Sequence, residues 1–446
     1  MIGVLFVLFS IGTACAANNS PLEEQWNITF HEDEDDHITS IITSVSGGYI
    51  VSGTLGYSVS SANGDGFLYE VGSDGNIVWS TYFGGDQDDY FTAVVEDGEG
   101  DYLALGNTAS TGSGKRDALM VKVDSNGNEV WDRTFYEDSS IISSAQKTSD
   151  GNLILAGMRA PLITAGGNLM GLLIKVDPEG NELWSKTFGP GWIRKYDYFN
   201  TVQETPEGEF IMAGLTTSFS SSNMEDGWLV KADSEGNELW NKSFGDVDLD
   251  MLNSVTSCSD GGYITVGKSK PYGQSLFNAW AVKTDKDGNL LWEKRYFEGS
   301  ESFSNSIIEV PDGNYVIVGS VGNIHEGSVK ASFGVDNYQG FLMKIDENGD
   351  EVWSYIYEGY SDSAFNTVIE SNGNYVAGGS MIPDGTDSSD SLLIVFNDPE
   401  LQKYESTEDE VTEESSSPTT EEQSPLSFTV TLVSIGLSFI ALKRRL

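Results

Sequence analysis

The sequence predicts an all-β fold, a seven-bladed β-propeller with four-stranded blades. Three observations predict it. The first is a repeated phrase, seen most fully at residues 119–135, LMVKVDSNGNEVWDRTF, which reads as a strand, a tight turn and a second strand. The second is its period: Trp26, Trp79, Trp131, Trp184, Trp240, Trp292 and Trp353 are in register at spacings of 53, 52, 53, 56, 52 and 61 residues. The third is the pair of half-repeats at the ends. The last unit stops without its tryptophan strand, and the chain begins with one, at residues 26–30.

Each unit carries four strand signals. In the unit that begins at Trp79 they lie at 79–83, 91–96, 102–106 and 119–124. The first places an aromatic four residues after each tryptophan: Phe30, Phe83, Phe135, Phe188, Phe244, Tyr296 and Tyr357. That spacing keeps both rings on one face of a strand, so the tryptophans are expected to be structural packing residues of the repeat. The third signal reads Gly-x-(aromatic or Leu)-x-x-x-Gly, as from Gly261 to Gly267. Its leading glycine suits a hairpin turn with positive φ, and its trailing glycine ends the strand or allows close backbone approach. Four strands in each of seven units make a propeller. The N-terminal strand is expected to complete the last blade, a clasp that removes open sheet edges.

The fourth signal opens the phrase Lys-x-Asp-x-x-Gly-(Asn or Asp)-x-x-Trp, present from Lys122, Lys175, Lys231, Lys283 and Lys344, with Glu70 replacing the lysine in a weaker copy. Asp followed by Gly between two strands is turn chemistry. The phrase resembles the tryptophan-docking repeat of PQQ-like, quinoprotein-type propellers, and similar repeats occur in secreted and surface proteins of archaea and bacteria. The resemblance covers residues 26 to about 397. It implies architecture rather than quinone chemistry, because the chain has seven units and no adjacent cysteine pair.

The flanks point outside the cell. Residues 1–17 read as a secretory signal peptide, 18–400 as the propeller, and 401–425 as an acidic Ser/Thr/Glu-rich spacer too polar to bury a core. Residues 426–446 read as a C-terminal transmembrane anchor: 426–442 carry no charge, and Lys443, Arg444 and Arg445 follow. A basic tail sets the C-terminus inside and the propeller outside. Spacer, span and tail together resemble the C-terminal surface anchors of archaeal proteins. The expected location is the cell surface.

Charge excludes one class of partner. With 69 acidic and 24 basic residues, the net charge of −45 repels nucleic acid. Acidic clusters lie where loops vary: Asp86, Asp88 and Asp89 form one, and Asp246, Asp248 and Asp250 another. Carboxylates at alternate positions suit a hard cation, so these are the candidate metal ligands and Ca²⁺ the candidate ion; a solvated acidic loop is the competing reading. No other cofactor is indicated. His31 and His37 flank a third acidic run without a third ligand fixed by the pattern.

Antiparallel connectivity puts the long loops (54–66, 107–118, 158–171, 320–340) and the links after each tryptophan strand on one end of the ring. Binding residues concentrate in variable loops on a rigid scaffold. On that end, residues 189–199, GPGWIRKYDYF, gather Trp192, Arg194, Lys195, Tyr196 and Tyr198, a basic and aromatic set on an acidic body. Such a set suits recognition of a protein or glycan. No nucleophile, histidine and carboxylate fall into a catalytic pattern, and the chain has three histidines. The expected function is noncatalytic binding of a surface protein or glycan, or a part in envelope structure. The alternative is an enzyme, either a quinoprotein-like oxidoreductase or a hydrolase using loop carboxylates.

Overall fold

A computed structural model describes residues 20–31, 35–57, 64–98, 100–112, 116–135, 140–160, 168–191, 194–220, 224–322, 338–358, 360–383, 385–386 and 388–401. These form 28 strands, numbered in chain order, in seven four-stranded antiparallel sheets. Blade 2 shows the plan: β6 (Asp89–Glu96), β7 (Tyr102–Thr108), β8 (Asp117–Val123) and β9 (Glu129–Phe135) lie side by side in that order. The tryptophan strand is the outer edge of each blade. Each sequence repeat therefore starts on the rim of one blade and continues into the next.

The innermost strands form a closed ring: β2 (Asp35–Thr43), β6, β10 (Ser140–Lys147), β14 (Asp197–Glu204), β18 (Asp250–Ser257), β22 (Ser302–Glu309) and β26 (Asp362–Ser371), each against the next and β26 against β2. Blade 7 is closed as the half-repeats imply. β1 (Glu23–Phe30) pairs with β28 (Asp390–Asn397), which pairs with β27 (Asn374–Ile382) and then β26. Phe30 is fully buried there, stacked on Tyr69 of blade 1 at 4.3 Å. Seven apolar clusters fill the seven interfaces between blades.

The trailing glycines have one cause. Every inner strand carries a β-bulge near its start. Each bulge turns a carbonyl onto the glycine opposite, so that a Cβ on Gly53, Gly106, Gly157, Gly214, Gly267, Gly319 or Gly379 would lie 1.9 to 2.1 Å from that oxygen. They permit close approach and do not end the strand. In five blades the bulged residue, freed from the ladder, bridges to the next blade, while Thr92 donates within its own blade to the Leu105 carbonyl at 3.3 Å. Asn200 Nδ2 donates to the Leu252 carbonyl at 2.9 Å, Asn253 to Ser304 at 2.9 Å, Asn305 to Phe365 at 2.9 Å, Asn366 to Ile38 at 3.0 Å, and the Thr39 hydroxyl to Phe91 at 2.8 Å. The bridge from Asn366 crosses the seam where the ring closes.

At the tight-turn end, the Asp-x-x-Gly-Asn segments close on themselves. Asp124 Oδ1 accepts from the backbone N–H of Asn126 and Asn128, both at 2.9 Å, and Gly127 takes φ +78°. Each tryptophan lies on the turn glycine of the following blade: Trp26 on Gly75, Trp79 on Gly127, Trp184 on Gly236, Trp240 on Gly288 and Trp292 on Gly349. They are thus half-buried links between blades. Trp353 has no such turn ahead of it and is buried with Leu401 instead. The repeat lysine crosses its own blade to an acid of the inner turn: Lys122 to Asp97, Lys175 to Asp150, Lys231 to Glu209, Lys283 to Asp260 and Lys344 to Asp312, all at 2.6 to 2.7 Å. In blade 1 the pair is exchanged. Glu70 replaces the lysine, serine replaces the turn acid, and Ser44 and Ser46 donate to Glu70 at 2.7 and 2.6 Å.

Among the described residues no helix is long and apolar enough to cross a membrane. The expected leader (1–17), the spacer from residue 402 and the anchor (426–446) lie outside the described residues.

Candidate functional site

The long-loop end begins where the inner strands start, and their first residues are caps. At or one residue after the strand start stands a buried aspartate in four strands (Asp36, Asp89, Asp197, Asp250) and a buried serine in three (Ser140, Ser302, Ser363). Asp36 Oδ1 accepts from Gly56 N–H at 2.7 Å, and Asp197 Oδ1 accepts from the Thr216 hydroxyl at 2.6 Å. Asp89 Oδ2 accepts from Gly85 N–H at 2.9 Å, and Asp250 Oδ2 from Asp246 N–H at 2.8 Å. Burial pushes the Asp250 carboxyl up to about 6, against the pull of Ser269, two backbone N–H groups and Arg295.

Two of the candidate metal ligands, Asp89 and Asp250, are therefore capping residues as well. The others are spread apart. Asp88 meets Arg116 at 3.4 Å and Asp246 meets Arg295 at 3.1 Å, while Asp86 and Asp248 stay in the loops. Among the described residues no group of three or more His, Cys, Asp or Glu side chains converges as a metal site. Asp89 Oδ1 and Asp65 Oδ1 are buried without a hydrogen-bond partner there. Burial and the charge of Asp89 hold the Asp65 carboxyl above its usual range. His31 Nδ1 pairs with Asp390 Oδ1 at 2.7 Å across the clasp, and His37 lies on β2, its imidazole held below its usual pKa chiefly by burial.

The basic and aromatic segment is divided. Trp192 lies outside the described residues. Arg194 is exposed at φ +63° and makes no hydrogen bond or ion pair among the described residues. Lys195 Nζ donates to the Thr217 carbonyl at 2.6 Å, and Tyr196, 40% exposed, donates its N–H to the Thr217 hydroxyl at 2.7 Å. Tyr198 is not a loop residue, because β14 begins at Asp197. Burial, with Glu225 adding to it, pushes its phenol up to about 12.

Tyr198 belongs to a different set, formed by position in the ring. The second residue of the structural inner-strand register, paired across the ladder to the end of the next strand, is His37, Tyr90, Ile141, Tyr198, Met251, Phe303 or Ala364. Its ladder partner is Thr54, Asn107, Met158, Leu215, Lys268, Ser320 or Ser380, so blade 5 alone puts a charge there. Lys268 Nζ lies over two rings, 4.8 Å from the centroid of Phe277 and 5.3 Å from that of Phe303. Tyr338 sits against Phe303 at 5.6 Å.

Two acidic residues, Glu225 and Glu301, flank this set, and their main chain is held in place. The Glu225 carbonyl accepts from Asp250 N–H at 2.8 Å, and the Glu301 carbonyl from Gly322 N–H at 2.7 Å. Burial lowers the Lys268 pKa against the opposing fields of Glu225 and Glu301. Burial also raises the Glu301 carboxyl, while Lys268 and Lys270 pull it down. Burial, then Glu301 and Asp362, push Tyr338 up to about 12. Blades 4, 5 and 6 thus share one electrostatically linked patch of half-buried aromatics, two ammonium groups (Lys268 and Lys270) and two carboxylates. The sequence signal for it was the lack of repetition at these positions, visible only once the bulge register is known.

No protein-family model matches the chain, and no curated protein matches it in sequence. Among solved structures, an unknown-function protein from Dyadobacter fermentans is similar over 84% of this chain and 99% of its own, with TM-score 0.46 and 11% identity. The β-propeller domain of the Trilobed protease from Pyrococcus furiosus is similar over 80% and 95%, with TM-score 0.43 and 9% identity. The polysaccharide lyase Uly1 is similar over 83% of this chain and 91% of its own, with TM-score 0.50 and 11% identity. At that identity the likeness bears on the fold alone.

Proposed function

We propose that this chain is a noncatalytic binding propeller, held at the cell surface by a C-terminal anchor, that recognises a glycan or a surface protein with its long-loop end. The observation that carries the reading is the patch on blades 4 to 6, where Tyr198, Phe303 and Tyr338 stay half-exposed beside an ammonium that closes no ion pair among the described residues. Partly exposed rings with charged neighbours give contact area at small entropic cost. The tight-turn end, by contrast, spends its polar groups on itself. The tryptophan-docking arrangement fits the quinoprotein-type resemblance as architecture, and the anchor rests on the sequence of residues 401–446.

Glycan and surface-protein arrays probed with the full-length chain in mild detergent test the reading. Substituting Phe303 and Arg194 is expected to weaken the signal, and substituting Glu235 in a tight turn to leave it unchanged. Equal loss at both ends would overturn the assignment of the face. Protease added to intact cells is expected to release the propeller; protection of the propeller would overturn the location. The hydrolase alternative has one observation in its favour, the Glu301 carboxyl raised by burial beside Lys268. Turnover of an array glycan that is lost in Glu301→Gln would establish it.

A further inference from the structure

Resting on the glycan side of that reading, the state of Lys268 narrows what is bound. The repeat lysines each close an ion pair at 2.6 to 2.7 Å. Lys268 is different. Its ammonium lies over the adjoining rings of Phe277 and Phe303, whose centroids are 6.1 Å apart, and makes no hydrogen bond or ion pair among the described residues. Ring faces balance charge but offer no lone pair in the N–H direction, so the donors remain available. Glu225 and Glu301 act on Lys268 through space, yet neither accepts a bond from it. Each keeps its carboxylate oxygens as acceptors, on a main chain held by a hydrogen bond to its carbonyl.

We infer that Lys268 anchors a subsite for an acidic sugar. The ammonium takes the carboxylate of a uronic acid, Phe303 and Tyr338 offer ring faces to the sugar, and Glu225 and Glu301 accept from its hydroxyls. The pattern of one half-buried donor charge with two acceptor carboxylates near it matches a ring that carries one carboxylate among several hydroxyl donors. An acidic peptide supplies several carboxylates without those hydroxyls, so it meets more repulsion from the two glutamates and from a chain of net charge −45 than a sugar with a single carboxylate does.

The test uses the full-length chain in mild detergent and calorimetry with four disaccharides: glucuronate- and galacturonate-terminated ones and their neutral counterparts. At least one acidic disaccharide is expected to bind tenfold or more tightly than its neutral form. Lys268→Met, which keeps the aliphatic stem, is expected to abolish that preference and leave neutral binding intact, while Lys268→Arg retains part of it. On the unmodified chain, the bound disaccharide is expected to protect Lys268 from acylation, read by peptide mass mapping. Equal affinity for acidic and neutral sugars, a preference that survives in Lys268→Met, or unprotected Lys268 would each overturn the inference. An aspartate- and glutamate-rich tripeptide bound as tightly, with the same dependence on Lys268, would overturn the sugar assignment. Loop-end binding of an array protein without any sugar binding would overturn the subsite and leave the binding face standing; no binding on any array would remove both.

Discussion

The two ends of the ring obey different rules. At the tight-turn end the blades are near-copies: five repeat lysines meet five turn acids, and tryptophans lie on the turn glycines of the next blade. At the long-loop end the equivalent positions hold His37, Tyr90, Ile141, Tyr198, Met251, Phe303 and Ala364, seven different environments on one backbone plan. The difference teaches what repetition means here. A residue repeats when its partner is the same element of its own or the neighbouring blade, because every blade offers that element again. A residue that faces a ligand has no such constraint.

The largest effect comes from removing the partner altogether. Deleting Glu23–Phe30 strips β1 from blade 7, exposing the edge of β28 and the cluster that holds Phe30. Loss of one buried phenylalanine alone costs about 3 to 5 kcal/mol, and an unpaired edge invites association. The truncated chain is expected to aggregate and to give no cooperative melt, measured by gel filtration and calorimetry. A monomer with an unchanged melting temperature would break the account of closure.

Gly267→Ala comes next. Its Cβ would lie 1.9 Å from the Met251 carbonyl oxygen, which the bulge of β18 fixes in place. Backbone displacement of this kind costs about 3 kcal/mol. The matched control is Gly261→Ala in the tight turn at the other end, where φ is +82° but nothing lies within 4 Å; the loss there is about 1 kcal/mol. Urea denaturation of the pair compares the two ends directly, and equal losses would deny that the inner glycines serve the bulge.

Blade 1 sharpens the same comparison within one end. Glu70 is buried and accepts from buried Ser44 and exposed Ser46, where other blades set a lysine against a turn acid. Glu70→Lys alone puts an ammonium beside two hydroxyls and is expected to cost about 2 kcal/mol. Adding Ser46→Asp recreates the pair of blades 3, 5 and 6 and is expected to restore most of it. A double-mutant cycle measures the coupling; additive losses would mean the exchange is accidental.

Much of this was legible before the fold was seen, and the limits are physical. The strands, the blade number and the clasp follow from the tryptophan period and the half-repeats, since both report contacts made seven times over. The bulges were hidden, because a bulge leaves no residue signature of its own; only the trailing glycines marked them, and their purpose needs the opposing carbonyl. The capping role of Asp89 and Asp250 was masked by neighbouring acids that look the same in sequence. Lys268 was missed because its rings come from two blades, Phe277 from one and Phe303 from the next. The segment around Arg194 was found by its charge, which is local, while Tyr198 was placed in the loop because nothing local marks the start of β14 at Asp197.

Asp250 provides a smaller, pH-dependent contrast. Its carboxyl is raised to about 6 in the folded chain, against about 4 when unfolded. A raised carboxyl contributes stability that is complete below the unfolded value and is lost as pH climbs through the folded one. Asp250→Asn has no charge to bury. Its melting temperature relative to the parent is therefore expected to rise between pH 4 and pH 7. A constant difference across that range would show that the cap is ionised throughout without penalty.

The smallest stability effect belongs to Arg194, and its smallness is the point. An exposed arginine at φ +63°, without a hydrogen bond or ion pair among the described residues, carries left-handed strain that no visible contact repays. Arg194→Gly relieves that strain while adding freedom to the unfolded chain, so stability is expected to stay within about 1 kcal/mol of the parent and to lean upward. At the tight-turn end the turn glycines already occupy this region, as Gly127 does at φ +78°, and the strain is absent. An arginine kept where glycine fits better points to use of its guanidinium at the surface. The paired measurement is thermal melting with affinity for the array ligand: an unchanged or higher melting temperature with weaker binding is expected. A drop in melting temperature would make Arg194 a structural residue and return the loop to the scaffold.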